Sequence, residues 1–118
     1  MREFRELEIW KRGKSIVDAT YDVLEHMPNT EKYGLSSQCG RAAVSIPSNI
    51  AEGCARTSQK HFIQFLETAL GSTMELQTQM IIIERRFKVP NELTQKVLSL
   101  LDEERKMLIS FIKKLQPQ

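Results

Sequence analysis

A chain of 118 residues with 17 basic against 15 acidic side chains and a formal charge of +2 has room for one core, and no excess of charge to hold a polyanion by itself. The two signs are interspersed, so any nucleic-acid contact has to come from a local patch. The first residues, Met1 to Glu8, are charged from the start and no uncharged apolar run nears the ~20 residues of a membrane span, which predicts a cytoplasmic protein with no membrane partner.

Four amphipathic segments separated by short punctuation, with no strand alternation and no repeat, predict an all-α fold: an up-down-up-down antiparallel four-helix bundle with a kinked second helix. The first helix is expected over about residues 7–27, with Ile9, Trp10, Gly13, Ile16, Val17, Thr20, Tyr21 and Leu24 inward and Pro28 as its stop. The second, over about residues 35–56, buries Leu35, Cys39, Ala42, Ala43, Ile46 and Ile50 and turns Gln38, Arg41, Ser45, Ser48, Asn49 and Glu52 the other way. A third side of small residues, Gly40, Val44, Pro47 and Ala51, suits the close approach of another helix, and Arg41 is the only charge between Tyr33 and Ala51. Pro47 removes one amide donor and crowds the carbonyl of Ala43, a disturbance of roughly 3 kcal/mol unless neighbours compensate. Ser45, Ser48 and Asn49 are placed to do so by bonding to the backbone. Cys39 and Cys54 share this helix about 22 Å apart, beyond disulfide reach, and read as free thiols of a reducing compartment.

The third helix, capped by Thr57 or Ser58 and running to residue 87, carries two apolar stripes. Phe62, Leu66, Ala69, Thr73, Leu76, Met80 and Phe87 make the main one; Ile63, Leu70, Met74 and Ile81 make a second, rotated by about 100°. One core does not bury both, so the second stripe predicts an interface with other copies of the chain. The fourth helix, from Pro90 or Asn91 to residue 115, faces inward with Leu93, Val97, Leu100, Leu101, Met107, Leu108, Phe111 and Ile112, and sets Glu104 in the middle of that stripe. An ionised carboxylate without a partner costs several kcal/mol in a core, so Glu104 must find a partner, reach solvent or face a subunit contact. Thr73, Gln77, Tyr21 and Arg41 are expected at about its height, and a structural hydrogen bond is expected there rather than catalysis.

Catalytic signatures are missing. His26 and His61 fall on different segments with no carboxylate or cysteine spaced to share a metal, the glycines are isolated, and no nucleophile elbow is present. The expectation is a protein that is not an enzyme and needs no cofactor. An active site would require a cleft built by Arg41, Asn49 and Glu52; the alternative reading gives Asn49 to the backbone around Pro47 and pairs Glu52 with Arg56 one turn on. Two small basic clusters, Lys11, Arg12 and Lys14, and Arg85, Arg86 and Lys88, are candidate RNA-binding residues, with Arg56 and Lys60 close together at the turn between the second and third helices. Repeated around an oligomer, such weak patches become a multivalent surface for the backbone of structured RNA. No aromatic platform for base recognition accompanies them.

The segment Tyr33-Gly34-Leu35, then Arg41-Ala42-Ala43-Val44-Ser45-Ile46-Pro47-Ser48-Asn49-Ile50-Ala51-Glu52-Gly53, closely resembles the four-helix-bundle proteins encoded by intervening sequences of bacterial 23S rRNA genes. So does Phe65-Leu66-Glu67-Thr68-Ala69-Leu70-Gly71-Ser72-Thr73-Met74-Glu75-Leu76. The resemblance implies a left-handed up-down-up-down bundle assembled as a ring-like homopentamer, which fits the second stripe of the third helix. A related branch serves as the accessory protein of diversity-generating retroelements, where a strongly basic pentamer binds a reverse transcriptase and nucleic acid; this chain departs from it in being nearly neutral. Two functions are implied: a non-catalytic homo-oligomeric scaffold associated with RNA or a ribonucleoprotein, or a module that binds a polypeptide such as a reverse transcriptase without touching RNA.

Overall fold

In the computed structural model, which describes residues 2–117, four helices form a bundle of 46 × 22 × 20 Å: α1 (Glu8–Leu24), α2 (Leu35–Cys54), α3 (Gln59–Arg86) and α4 (Asn91–Leu115). Each packs on the next and α4 closes on α1, while the diagonal pairs make no close backbone approach among the described residues. Gly13 meets Pro47 and Gly40 meets Tyr21; Gly53 meets Phe62 and Ser45 meets Ser72. Glu84 meets Thr94 and Gln59 meets Leu115, and Arg12 meets Glu104. Numbers rising along one helix fall along its neighbour, so helices adjacent in the chain run antiparallel, as their short connections favour. The start of α1, the end of α2, the start of α3 and the end of α4 therefore share one end of the bundle, here the base; the other four helix ends form the top.

The helix ends follow local chemistry. Ser58 caps α3 by accepting the His61 amide at 3.3 Å. Beyond α1 and α2 the next amides bond back three residues, His26 to Val23 and Ala55 to Glu52, so each helix tightens and stops at Leu24 and Cys54, short of the expected residues 27 and 56. Inside, Ile16, Val23, Ala43, Ile46, Ile50, Leu66, Leu76, Met80, Ile83, Val97, Leu101 and Leu108 lose all contact with water. Ala19 and Val23 take inward places not expected from the sequence, and Tyr21, expected inward, is half exposed. The buried run Ile9, Gly13, Ile16, Thr20 and Val23 alternates steps of four and three; Tyr21 stands one residue, about 100°, past it and lies against α2. Both cysteines are buried and free, and burial beside the Glu75 charge pushes the Cys39 thiol up to about 12.

Two glycines set how close α2 comes to its neighbours. A Cβ on Gly13 would lie 3.2 Å from the Pro47 Cβ, and one on Gly53 would lie 2.9 Å from the Phe65 Cβ and 3.0 Å from the Phe62 ring. The helix runs through Pro47 without ending, its ring buried on Gly13. Gly13→Val is expected to lower stability by about 1–3 kcal/mol, through overpacking against a rigid ring, in urea unfolding monitored by circular dichroism; an unchanged midpoint would show that the helices part freely there.

Candidate functional site

The six basic residues picked out by sequence do not form one patch on a protomer. Lys11, Arg12 and Lys14 stand in the lower part of α1, whereas Arg85, Arg86 and Lys88 close the top of α3 and the turn after it. Lys11 reaches Glu8 at 3.5 Å and Lys14 lies over the Trp10 ring at 4.9 Å, both exposed. Arg12 differs from its neighbours: it turns toward α4, 3.4 Å from Glu103 and 3.8 Å from Glu104, and touches the Met107 sulfur. That orientation leaves Lys11 and Lys14 as the outward pair. Arg85 and Arg86 occupy the last turn of α3, where a positive charge complements the helix dipole.

Glu104 is fully buried, and neither carboxyl oxygen has a hydrogen bond. Its partner is Arg12 rather than Thr73, Gln77, Tyr21 or Arg41, because an antiparallel α1 brings its lower turns, not Tyr21, to the level of Glu104. The expected structural hydrogen bond is not made. Burial pushes the carboxyl up to about 8, against the opposing pull of Arg12.

Around Pro47 the polar side chains interlock. The Asn49 amide donates to the Ser45 carbonyl at 2.8 Å and to its hydroxyl at 2.9 Å, and that hydroxyl meets Ser72 of α3 at 2.8 Å. The backbone bond expected of this trio is therefore present, though it goes to Ser45 and not to the crowded carbonyl of Ala43. Ser48 and Glu52 are exposed, and Glu52 does not pair with Arg56 among the described residues; the Arg56 guanidinium lies instead over the Phe65 ring at 4.8 Å. With both Asn49 bonds given to Ser45 and Glu52 turned to solvent, the cleft needed from Arg41, Asn49 and Glu52 is not assembled.

Two apolar surfaces remain. On α3, Ile63 and Leu70 are half-buried at the edge of the core, while Met74 is 44% and Ile81 51% exposed. Ile82, 41% exposed, extends this surface. Between α1 and α2 lies a groove of ≈ 680 Å³ lined by Tyr21, Leu24, Tyr33, Gly40, Arg41 and Val44. Tyr33, 89% exposed, stands at its upper edge with the Lys32 ammonium 5.5 Å from its ring. Sequence patterning missed the groove because Tyr21 falls on the apolar stripe and Tyr33 lies in a turn; the small side of α2, Gly40 and Val44, was its one visible sign.

Among the described residues no three of His, Cys, Asp and Glu gather as metal ligands, and no helix is long and apolar enough to cross a membrane. Fold and surface thus define a helical-bundle protein whose distinctive features are exposed apolar surfaces. Residues 5–110 match the family model of the 23S rRNA-intervening sequence protein, and the chain belongs to that family. The fold is shared with a crystal structure from Bacteroides thetaiotaomicron described as a protein of unknown function from the S23 ribosomal protein family: TM-score 0.81 at 24% identity, covering 89% of this chain and 98% of the other. No curated protein sequence matches the chain.

Proposed function

We propose that this protein is a non-catalytic scaffold that assembles with copies of itself, five by the family resemblance, and that the assembly associates with structured RNA. The single observation that carries the reading is the pair of apolar surfaces on different helices: the Met74, Ile81 and Ile82 face of α3, and the groove holding Tyr21, Tyr33 and Val44. Two different patches on one chain suit a heterologous contact, in which the face of one protomer enters the groove of the next, and such contacts close into rings when the rotation permits. The reading includes a bend of α2 at Pro47 that shapes the groove wall.

RNA association follows from repetition. One protomer offers Lys11 and Lys14 low on α1 and Arg85, Arg86 and Lys88 at the top, too few at either place to hold RNA alone; a ring multiplies each set. Arg12, turned onto Glu103 and Glu104, contributes least of the six. Affinity for a 23S rRNA fragment and for an unrelated RNA is expected to fall steeply between about 50 and 200 mM salt, and the double variant Arg85→Ala, Arg86→Ala to weaken both alike with a shallower slope, since backbone contacts carry no base information. Fluorescence anisotropy at the two salt concentrations decides. The overall charge of only +2 favours a second reading, a module whose groove takes a polypeptide such as a reverse transcriptase; that reading wins if no RNA binds even at the lower salt.

A further inference from the structure

At the base of the bundle, away from both apolar surfaces, a cavity of ≈ 200 Å³ is lined by Arg2, Gly53, Arg56, Thr57, Ser58 and Phe62, among others. Its two guanidiniums come from separate parts of the chain and are held alike. Arg2 is tied down by its backbone amide, which donates to the Cys54 carbonyl at 3.1 Å, and its guanidinium lies 4.7 Å from the centre of the Phe62 ring. Arg56, just beyond α2, lies 4.8 Å from the centre of the Phe65 ring. The Phe62 ring and the Phe65 Cβ are both seated against Gly53, where no side chain intervenes. Ring contacts of this kind restrain a guanidinium and leave its N–H edges free to donate.

Neither arginine has a carboxylate partner among the described residues, in contrast to Arg5 on Glu3, Arg12 on Glu103 and Glu104, and Arg105 on Asp102. Of the two acidic side chains that flank this corner in the chain, Glu3 is taken up by Arg5 at 2.8 Å, and Glu52 is exposed and makes no ion pair with either arginine among the described residues. Two like charges facing one cavity repel each other, and an anion between them turns that repulsion into two attractions. The forked donors match the edge of a tetrahedral oxyanion; Thr57 and Ser58 also line the cavity, and the Ser58 hydroxyl, whose oxygen caps α3, keeps its hydrogen free to donate.

We propose that this cavity is a binding site for a single phosphate group, gripped by Arg2 and Arg56. It does not rest on the RNA reading, because the site is complete within one protomer and uses none of the residues assigned to RNA. The phosphate comes either as the free ion or as the terminal group of a nucleic acid, and the two sources are separable. In the first arm, the full chain is melted in inorganic phosphate and in chloride of equal ionic strength: binding to the native state raises Tm in phosphate. Arg56→Gln and Arg2→Gln, made at exposed side chains, each abolish that increment when it is read against the variant's own Tm in chloride, which falls by a few degrees as the ring contact is lost. Arg56→Lys, which keeps the charge and loses the fork, loses most of it.

In the second arm, a short oligoribonucleotide with a 5′-phosphate is compared with its 5′-hydroxyl twin by anisotropy. A preference of about tenfold or more for the phosphorylated strand, lost in Arg56→Gln, assigns the site to a terminal phosphate; a Tm increment without that preference assigns it to the free ion. Equal Tm in the two salts together with equal binding of the two strands overturns the proposal. So does a phosphate increment of the same size in both arginine variants. Failure of the Arg85 and Arg86 salt-slope experiment leaves these outcomes unaffected.

Discussion

Glu104→Gln is expected to make the protein more stable at pH 8 to 9 and to remove most of its loss of stability between about pH 5 and 8. In the unfolded chain this carboxyl titrates near its ordinary 4.5, whereas burial in the fold pushes it up to about 8. Across that window the native state holds a proton that the unfolded state has released, so each unit of rising pH favours unfolding, with a limiting slope of about 1.4 kcal/mol per pH unit. The stability associated with the protonated acid is complete below pH 4.5 and is lost as pH rises through 8. The full loss is of the order of a few kcal/mol, moderated by Arg12 at 3.8 Å. Glutamine keeps the shape and cannot ionise, so its profile should be nearly flat there and should meet the parent's near pH 4.5. Asp102, held low first by its hydrogen bonds to Arg105 and Lys106, titrates beneath the window and does not obscure it. Urea midpoints at pH 5 to 9 test this: parallel profiles for parent and variant would mean that Glu104 stays ionised, sustained by Arg12.

The second large effect concerns assembly. Light scattering at micromolar concentration is expected to show an oligomer, and Met74→Glu is expected to reduce it to monomer with an unchanged circular dichroism spectrum, because Met74 is exposed on the protomer and an unpaired charge in an apolar contact costs several kcal/mol. Val44→Glu in the groove is expected to do the same from the other side. A heterologous contact then makes a sharper demand. Each variant keeps one sound surface, and mixing the two should yield a one-to-one dimer and nothing larger, since the Val44→Glu chain still offers the α3 face that the Met74→Glu groove accepts. A Val44→Glu chain that stays associated by itself would point to an α3 face that pairs with itself. A parent chain that is itself monomeric would remove the scaffold reading altogether.

The four helices were legible because their apolar residues repeat at a helical period and because Pro28, Ser58 and Pro90 stand at the boundaries. The second stripe of α3 was visible for the same reason. What pattern could not supply was height. The partner of Glu104 depends on which turn of α1 lies beside the middle of α4, and an error of about two and a half turns replaced Arg12 by Tyr21. The separation of the two basic clusters to opposite ends is likewise a matter of register, as is the meeting of Arg2 with Arg56, which lie 54 positions apart in the sequence. Glu52 and Arg56 illustrate a different limit. Their spacing suits a helical ion pair, but α2 ends at Cys54, so Arg56 leaves the helix and settles on Phe65.

The two cysteines give the fold its own clock. Cys39 lies in the core with its thiol pushed up to about 12, and Cys54, also buried, sits at the base where the amide of Arg2 crosses its carbonyl. A thiol reagent attacks only an exposed thiolate, so neither site reacts until the surrounding structure opens. Cys54 opens when the short segment before α1 lifts away; Cys39 opens only when the helices separate. Labelling rates at the two positions of one unmodified chain therefore time two events, the fraying of one end and the parting of the whole, without any introduced probe.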